Sequence, residues 1–359
     1  MHCLLVIPGI LTRDPLLLDK LGTLALPALQ RLLARGRRDT RAWQGIDAWA
    51  LEQFSVARQV DWPSAPFALL GEGETPGDAC WAHADPVSLR ADRDRLLLAD
   101  AAAMNISMDE ARALVATVEA HFGDALQLRI ATPARWYARL AAPPRGETTP
   151  LAAVAGGSVT PGRGDLGWHA LMNEMQMLLH EHPVNEAREA RGELPLNGIW
   201  LWGAGRLAPV DTPFKSMTGD HPLTQGLARH AGIAVRALPA SATRWVSSVA
   251  SQGIHVCLQD GLLAAARQGD STRWLDTLAR LECDWFAPLH EALDSGRIGM
   301  LTVALGSTRT LATVETVRQD LRRFWRRPKP LERTLAAQSD EEAGDEEAGQ
   351  EAPGTAMPP

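Results

Sequence analysis

The sequence is short of cysteine, lysine and tyrosine, and each shortage narrows what the chain can be. Its four cysteines, Cys3, Cys80, Cys257 and Cys283, stand far apart and form no CxxC. Neither a zinc knuckle nor a redox dithiol is signalled, and reduced thiols in a cytoplasmic setting are expected. Lysine occurs only at Lys20, Lys215 and Lys329, and tyrosine only at Tyr137. No apolar run approaches the roughly 20 residues that a membrane-spanning helix needs. The apolar start, Met1–Gly9, lacks a cationic lead and a small-residue cleavage site, so it reads as a first strand and not as a signal peptide.

The chain also lacks any surplus of positive charge. Lys and Arg number 36 against 43 Asp and Glu, a formal net charge of −7 over 359 residues. Asp340, Glu341, Glu342, Asp345, Glu346, Glu347 and Glu351 account for that difference, so the body before them is neutral by count. A neutral body argues against a dedicated nucleic-acid binder. With 45% hydrophobic and 22% charged residues, it has the composition of an ordinary globular protein with room for about two domains.

Strand and helix signals alternate along this body. Leu4–Ile7 reads as a buried strand, and Leu26–Ala34 as an amphipathic helix ended by Gly36. Val87–Leu98 is strand-like. Ser107 followed by Glu110 makes a capping box for a helix running to His121, and Leu126–Ile130 is a further strand. The Pro, Gly and Thr content of 142–167 marks a loop. Helix resumes over Trp168–His180. Strands follow at Gly198–Trp202, Ile233–Leu238, His255–Leu258 and Met300–Ala304, with helices at Leu223–His230 and Ser271–Glu291. The alternation predicts an α/β fold. Beyond Arg333 the acidic, Ala/Gly/Pro-rich stretch is too poor in apolar residues to bury a core.

Several local patterns bear on chemistry. Gly162-Arg163-Gly164-Asp165-Leu166-Gly167 matches GxGxxG but lacks the preceding strand of a dinucleotide site, so a glycine-rich loop is the better reading. His180 and His182 fall at a helix end, where imidazole is favoured by the dipole, with no third metal ligand signalled nearby. The run Asp85 to Arg95 mixes arginines and aspartates and reads as an edge strand with solvated ion pairs. The twelve tryptophans are scattered as core packing scatters them. Arg322, Arg323, Arg326, Arg327, Lys329 and Arg333 form a basic block beside the acidic stretch, so the two are expected to screen each other.

Larger segments resemble the archaeal-type cofactor-independent phosphoglycerate mutases of the alkaline-phosphatase superfamily. The resemblance rests on His182-Pro183-Val184-Asn185, Arg188, Gly192 and Leu194–Gly205. It extends to His255–Asp260, the helix with Asp284, Leu301–Thr308, Leu5–Gly9 and Leu69-Leu70-Gly71, with Leu26–Leu29 a loose echo. It implies an alkaline-phosphatase-like sheet with helices on both faces plus a small inserted α/β domain. The expected division is 1–80 and 192–333 for the core, 81–191 for the insert and 334–359 for the tail. In that family two divalent metals, typically manganese, and a phosphorylated serine carry the chemistry.

Here the metal-bearing positions depart from the pattern. Pro8 replaces the first aspartate, and Leu305-Gly306 replace an Asp-His pair ahead of Ser307-Thr308. Asp260 is kept, but Ala264 replaces the following histidine. Asp61-Trp62-Pro63-Ser64-Ala65 holds no Ser-Asp pair, and Trp202 replaces an arginine. Proline and leucine side chains carry no donor atom. The chain also resembles, nearly end to end, a proteobacterial group of RpfE-type regulatory proteins, through Trp81–Val87, Leu89–Asp94, Asn173–Gln176 and Trp200–Gly205.

These resemblances imply a cytoplasmic, metal-free and catalytically degenerate relative with a regulatory or ligand-binding role. Its ligand would be a small phosphorylated or anionic compound held by Asn185, Arg188, Asn197 and Arg90, with His83 and Asp85 orienting it. One alternative is a working Mn²⁺-dependent mutase or phosphatase with ligands relocated to Asp14, Asp260 and His255 or His290. Another is an interaction scaffold that binds a protein partner through its charged C-terminal segment.

Overall fold

The computed structural model describes residues 1–92, 95–101, 104–154, 158–159 and 166–336. Among these the chain forms thirteen strands. They are β1 (His2–Pro8), β2 (Arg37–Ala42), β3 (Cys80–Asp92), β4 (Arg95–Asp100), β5 (Leu126–Thr132), β6 (Arg135–Leu140) and β7 (Ser158–Val159), followed by β8 (Gly198–Gly205), β9 (Phe214–Thr218), β10 (Ala234–Arg236), β11 (Ile254–Leu258), β12 (Met300–Gly306) and β13 (Thr310–Val317). Two sheets result. The larger has seven strands in the order β10-β9-β11-β1-β12-β13-β2, and the smaller runs β5-β6-β3-β4-β7 with β8 paired to β3.

In the larger sheet β10, β9, β11, β1 and β12 run parallel, while β13 and β2 add an antiparallel edge. Its central strand shows why helices cover both faces. Side chains alternate across a strand, so Cys3, Leu5 and Ile7 enter one apolar cluster while Leu4 and Val6 enter the other. A sheet buried on both faces is the parallel α/β arrangement. One cluster is closed by the helices Pro27–Arg35, Gly261–Gln268 and Ser271–Asp294, and the other by Ile46–Gln53, Ser64–Gly71 and Pro222–His230.

The smaller sheet is antiparallel throughout. Its outer face packs Cys80, Ala82, Ala84, Ile199 and Leu201 against the helices Met108–Phe122, Leu166–His180 and Pro183–Ala190. Ser107 and Glu110 form the expected capping box. Because β8 hydrogen-bonds to β3, this sheet extends to Gly205, past the expected division at 191. At the other end Leu335 is fully buried and its carbonyl accepts from Thr12 N–H, so the packed body reaches beyond the expected 333.

Other local differences have identifiable causes. Val87–Leu98 is not one strand but divides between β3 and β4, which pair antiparallel with Asp92 in register with Arg95. The helix from Ser271 is interrupted by a wide turn over Glu282–Phe286, where Ala287 N–H reaches back to Glu282. Pro288, which has no N–H to donate, stands just beyond this turn. The wide turn aims Glu282 inward. Its carboxylate accepts from Ala28 N–H at 2.6 Å and Leu29 N–H at 3.1 Å, closing the uncapped N-terminus of the helix Pro27–Arg35. The glycine-rich pattern of 162–167, the Arg93-Asp94 pair and the acidic stretch lie wholly or mainly outside the described residues.

Candidate functional site

In open α/β sheets, ligands bind at the carboxyl ends of the parallel strands. Pro8, Gly306 and the Gln259-Asp260 pair meet there, at the ends of three adjacent strands. Pro8 is directly opposite Gly306, and Gln259 N–H donates to Val6 O at 2.8 Å. The space beside them is filled by protein. A Cβ placed on Gly306 would fall 2.3 Å from Cζ2 of Trp43, whose indole lies against the glycine and whose Nε1 donates to Ser307 O at 3.0 Å. Trp274 Nε1 donates to Gly9 O at 2.8 Å from the other side. Leu305 is fully buried in the apolar cluster, and Ser307 Oγ accepts from Arg309 and Thr310 N–H to hold the β12–β13 turn.

This donor set does not fit the two divalent cations that the fold family implies. Asp260 is the one carboxylate among the four strand-end residues, and it stands at the start of the helix Gly261–Gln268. The relocated set fares no better. Asp14 caps the helix Pro15–Leu21, and His255 is held between Ser216 Oγ and Gln252 O. Among the described residues no group of three or more His, Cys, Asp or Glu side chains could hold a metal ion.

A second polar centre lies on the inner face of the smaller sheet, against the helix Ser64–Gly71. His83 on β3 is opposite Tyr137 on β6 and Trp202 on β8, so three rings form a row across three strands. His83 stacks on Trp202 with centroids 4.0 Å apart, and Tyr137 lies 5.3 Å away. Asp85, two residues along the same face, accepts from Trp202 Nε1 at 2.7 Å. Ser64 Oγ is 3.2 Å from His83 Nε2. Gly203 permits this approach: its φ is +62°, and a Cβ there would sit 2.1 Å from Ser64 Oγ. Thr148 closes the centre by bonding to Asp61 and accepting from Gly203 N–H.

Burial sets the protonation of this centre. It pushes His83 down to about 3, with the charges of His221 and Arg135 adding to the effect, so the imidazole is neutral at pH 7. Burial raises Asp85 to about 7 against the opposing hydrogen bond from Trp202, with Asp47 adding to the rise. A neutral imidazole beside a serine hydroxyl is the beginning of a nucleophile–base pair. The third group is missing, because Asp85 bonds the indole and not the imidazole. With Ser64 1% and His83 9% exposed, the pair has no open face of the kind an acyl or phosphoryl donor needs.

The structure thus brings His83 and Asp85 together through Trp202, a partner across the sheet that only the β3–β8 pairing reveals. The other four candidates do not join them. Asn185 spends its amide on Leu179 O, Leu196 O and Leu196 N–H, pinning the segment after its helix. Arg188, 1% exposed, donates to Leu194 O and Glu110, while Asn197 clips both backbone groups of Leu89. Arg90 is exposed on β3. The His182-Pro183 pair serves the helix start, with His182 Nδ1 accepting from Val184 N–H and its Nε2 3.0 Å from Thr117 Oγ1.

A mixed sheet with helices on both faces, and an antiparallel second sheet inserted in the chain between β2 and β9, is an alkaline-phosphatase-like fold of the phosphoglycerate-mutase type. No family model matches the chain. Over 126 residues, 33% of the chain, it is 32% identical to the 2,3-bisphosphoglycerate-independent phosphoglycerate mutase of Methanosarcina barkeri. Over 142 residues, 37% of the chain, it is 31% identical to a probable enzyme of that name from Geobacter sulfurreducens. The chain spans about a third of the length of these curated relatives, 31% and 35%. Among solved structures, the PH0037 protein from Pyrococcus horikoshii superposes with a TM-score of 0.54 at 14% identity, covering 88% of this chain and 87% of that one. The cofactor-independent phosphoglycerate mutase from Thermoplasma acidophilum gives 0.49 at 15% identity, covering 94% and 95%. Over the matched segments the chain is similar in sequence to 2,3-bisphosphoglycerate-independent phosphoglycerate mutases.

Proposed function

We propose that this protein is a catalytically degenerate phosphoglycerate-mutase-like protein that works without metal and has a regulatory or ligand-binding role. One observation carries the reading: at the strand ends, Pro8 and Gly306 face each other and Trp43 packs onto the glycine. A metallophosphomutase needs cations there to hold phosphoryl oxygens and activate its nucleophile. Tryptophan and proline in their place make an apolar plug. The resemblance to RpfE-type regulatory proteins points the same way, and so does the shielded Ser64–His83 pair. The ligand class inherited with the scaffold is a small phosphorylated or anionic compound.

The test is to purify the chain with added Mn²⁺, measure bound metal, and assay interconversion of 2- and 3-phosphoglycerate. Substoichiometric metal and no turnover are expected. Metal-dependent turnover that Asp260→Ala abolishes would overturn the proposal in favour of a working mutase. Phosphoglycerates and inorganic phosphate, each added in a thermal-shift series, then test for retained ligand binding.

A further inference from the structure

A strongly charged surface of the body lies away from both centres. A groove of about 1220 Å³ runs between the end of the helix Pro27–Arg35, the edge strand β2, β13 and the segment 318–334. Seven cationic side chains line it against two carboxylates, Glu315 and Asp320. Both carboxylates are already paired, with Arg37 and Arg323. Arg38 and Arg326 donate to backbone carbonyls, which leaves their charge uncompensated. Arg327, Lys329 and Arg333 make no ion pair among the described residues. Five surplus positive charges therefore converge in one groove of a body that is neutral as a whole.

We propose that this groove is a docking site for the chain's own acidic stretch, Asp340–Glu351. Charge complementarity and covalent continuity carry the proposal. The stretch brings seven carboxylates and no cation. Thr334 lines the groove, and Asp340 follows six residues on, a reach of up to about 20 Å for extended chain. A tether this short gives an effective concentration on the order of 1 mM, so a weak intrinsic Kd on the order of 0.1 mM keeps the groove about ten-to-one occupied. An external polyanion must then displace the stretch. Outside the groove the body carries more acids than cations, 34 against 29, a balance that does not help a nucleic acid in that competition. The acidic segment is thus a built-in competitor guarding an anion-binding groove.

The experiment compares the full chain with a full-length variant whose seven acids are neutralised, D340N/E341Q/E342Q/D345N/E346Q/E347Q/E351Q. Modification of arginines by phenylglyoxal is followed by peptide mass spectrometry, with Arg112 as an exposed reference. At low salt, Arg326, Arg327 and Arg333 should react about tenfold more slowly in the native chain, matching the occupancy above. The difference should vanish at about 1 M salt, where the Debye length falls to about 3 Å. Cooperative thermal transitions in both proteins, with a common midpoint at about 1 M salt where docking is screened, establish that both are folded. Equal rates at low salt overturn the proposal. Protection that grows with protein concentration also overturns it, by placing the stretch in a second copy. A single-stranded oligonucleotide that protects these arginines in the neutralised variant, where a peptide of sequence 340–351 does not, reassigns the groove to nucleic acid.

Discussion

Asp85 offers the sharpest check on how the inner centre is built, because its cost to the fold is a function of pH. Its carboxyl is raised from 3.8 to about 7, chiefly by burial, with Asp47 and Asp100 adding to the rise and Trp202 and Arg135 opposing it. The folded state thus binds the proton more tightly than the unfolded chain does. Stability is full below 3.8, declines as pH rises through the interval, and levels off above about 7. At 1.36 kcal/mol per pH unit the ionised carboxylate destabilises the fold by about 4 kcal/mol above neutrality. Asp85→Asn removes the charge while its amide oxygen still accepts from Trp202 Nε1. The variant should therefore gain on the native chain by about 3 kcal/mol between about pH 5 and pH 8.5. Urea unfolding at the two values measures this. A difference between variant and native that is the same at both pH values would refute the buried-acid account.

Two further substitutions probe packing. Gly203→Ala places a methyl at positive φ and 2.1 Å from Ser64 Oγ, so it should lower stability by about 2 kcal/mol in chemical denaturation. Adding Ser64→Gly should recover part of that loss, and strict additivity of the two substitutions would show that the contact does not matter. Arg188→Ala leaves Glu110 and Leu194 O short of a buried partner and should cost about 3 kcal/mol in urea. A variant that keeps its stability but loses affinity for phosphorylated ligands would return Arg188 to an anion-binding role.

What the sequence makes legible follows from where the information lies. The helix Pro27–Arg35, the Ser107–Glu110 capping box and the central strands announce themselves through local periodicity and caps. Strand β2 does not, because Arg37–Ala42 is a fully exposed edge with no apolar face to reveal. The Glu282 cap is equally hidden: its partner Ala28 lies 254 residues away. The same holds at the inner centre. His83 and Asp85 share a strand face two residues apart, which spacing shows, but the indole that links them comes from a strand 117 residues beyond Asp85. Asn185 and Arg188 match a family motif, yet the motif's polar atoms are occupied by backbone groups of Leu179, Leu194 and Leu196 and by Glu110, which only the fold brings to them.

On the proposed metal-free reading, the strand-end plug bears on how such a scaffold closes without metal. Carboxylates gathered at strand ends are costly to desolvate, and in a metallophosphomutase the cations offset their mutual repulsion. Proline, glycine and an indole carry no such charge, so the sheet closes there without an ion. The plug also opposes the installation of metal ligands. A side chain restored at Gly306 would meet Trp43 at 2.3 Å, and removing the indole first would open a cavity that costs about 3–5 kcal/mol. A ligand set cannot be rebuilt one residue at a time without crossing that loss. On the metal-free reading proposed above, apolar packing and not the fold itself is what separates this chain from a metal-dependent phosphomutase.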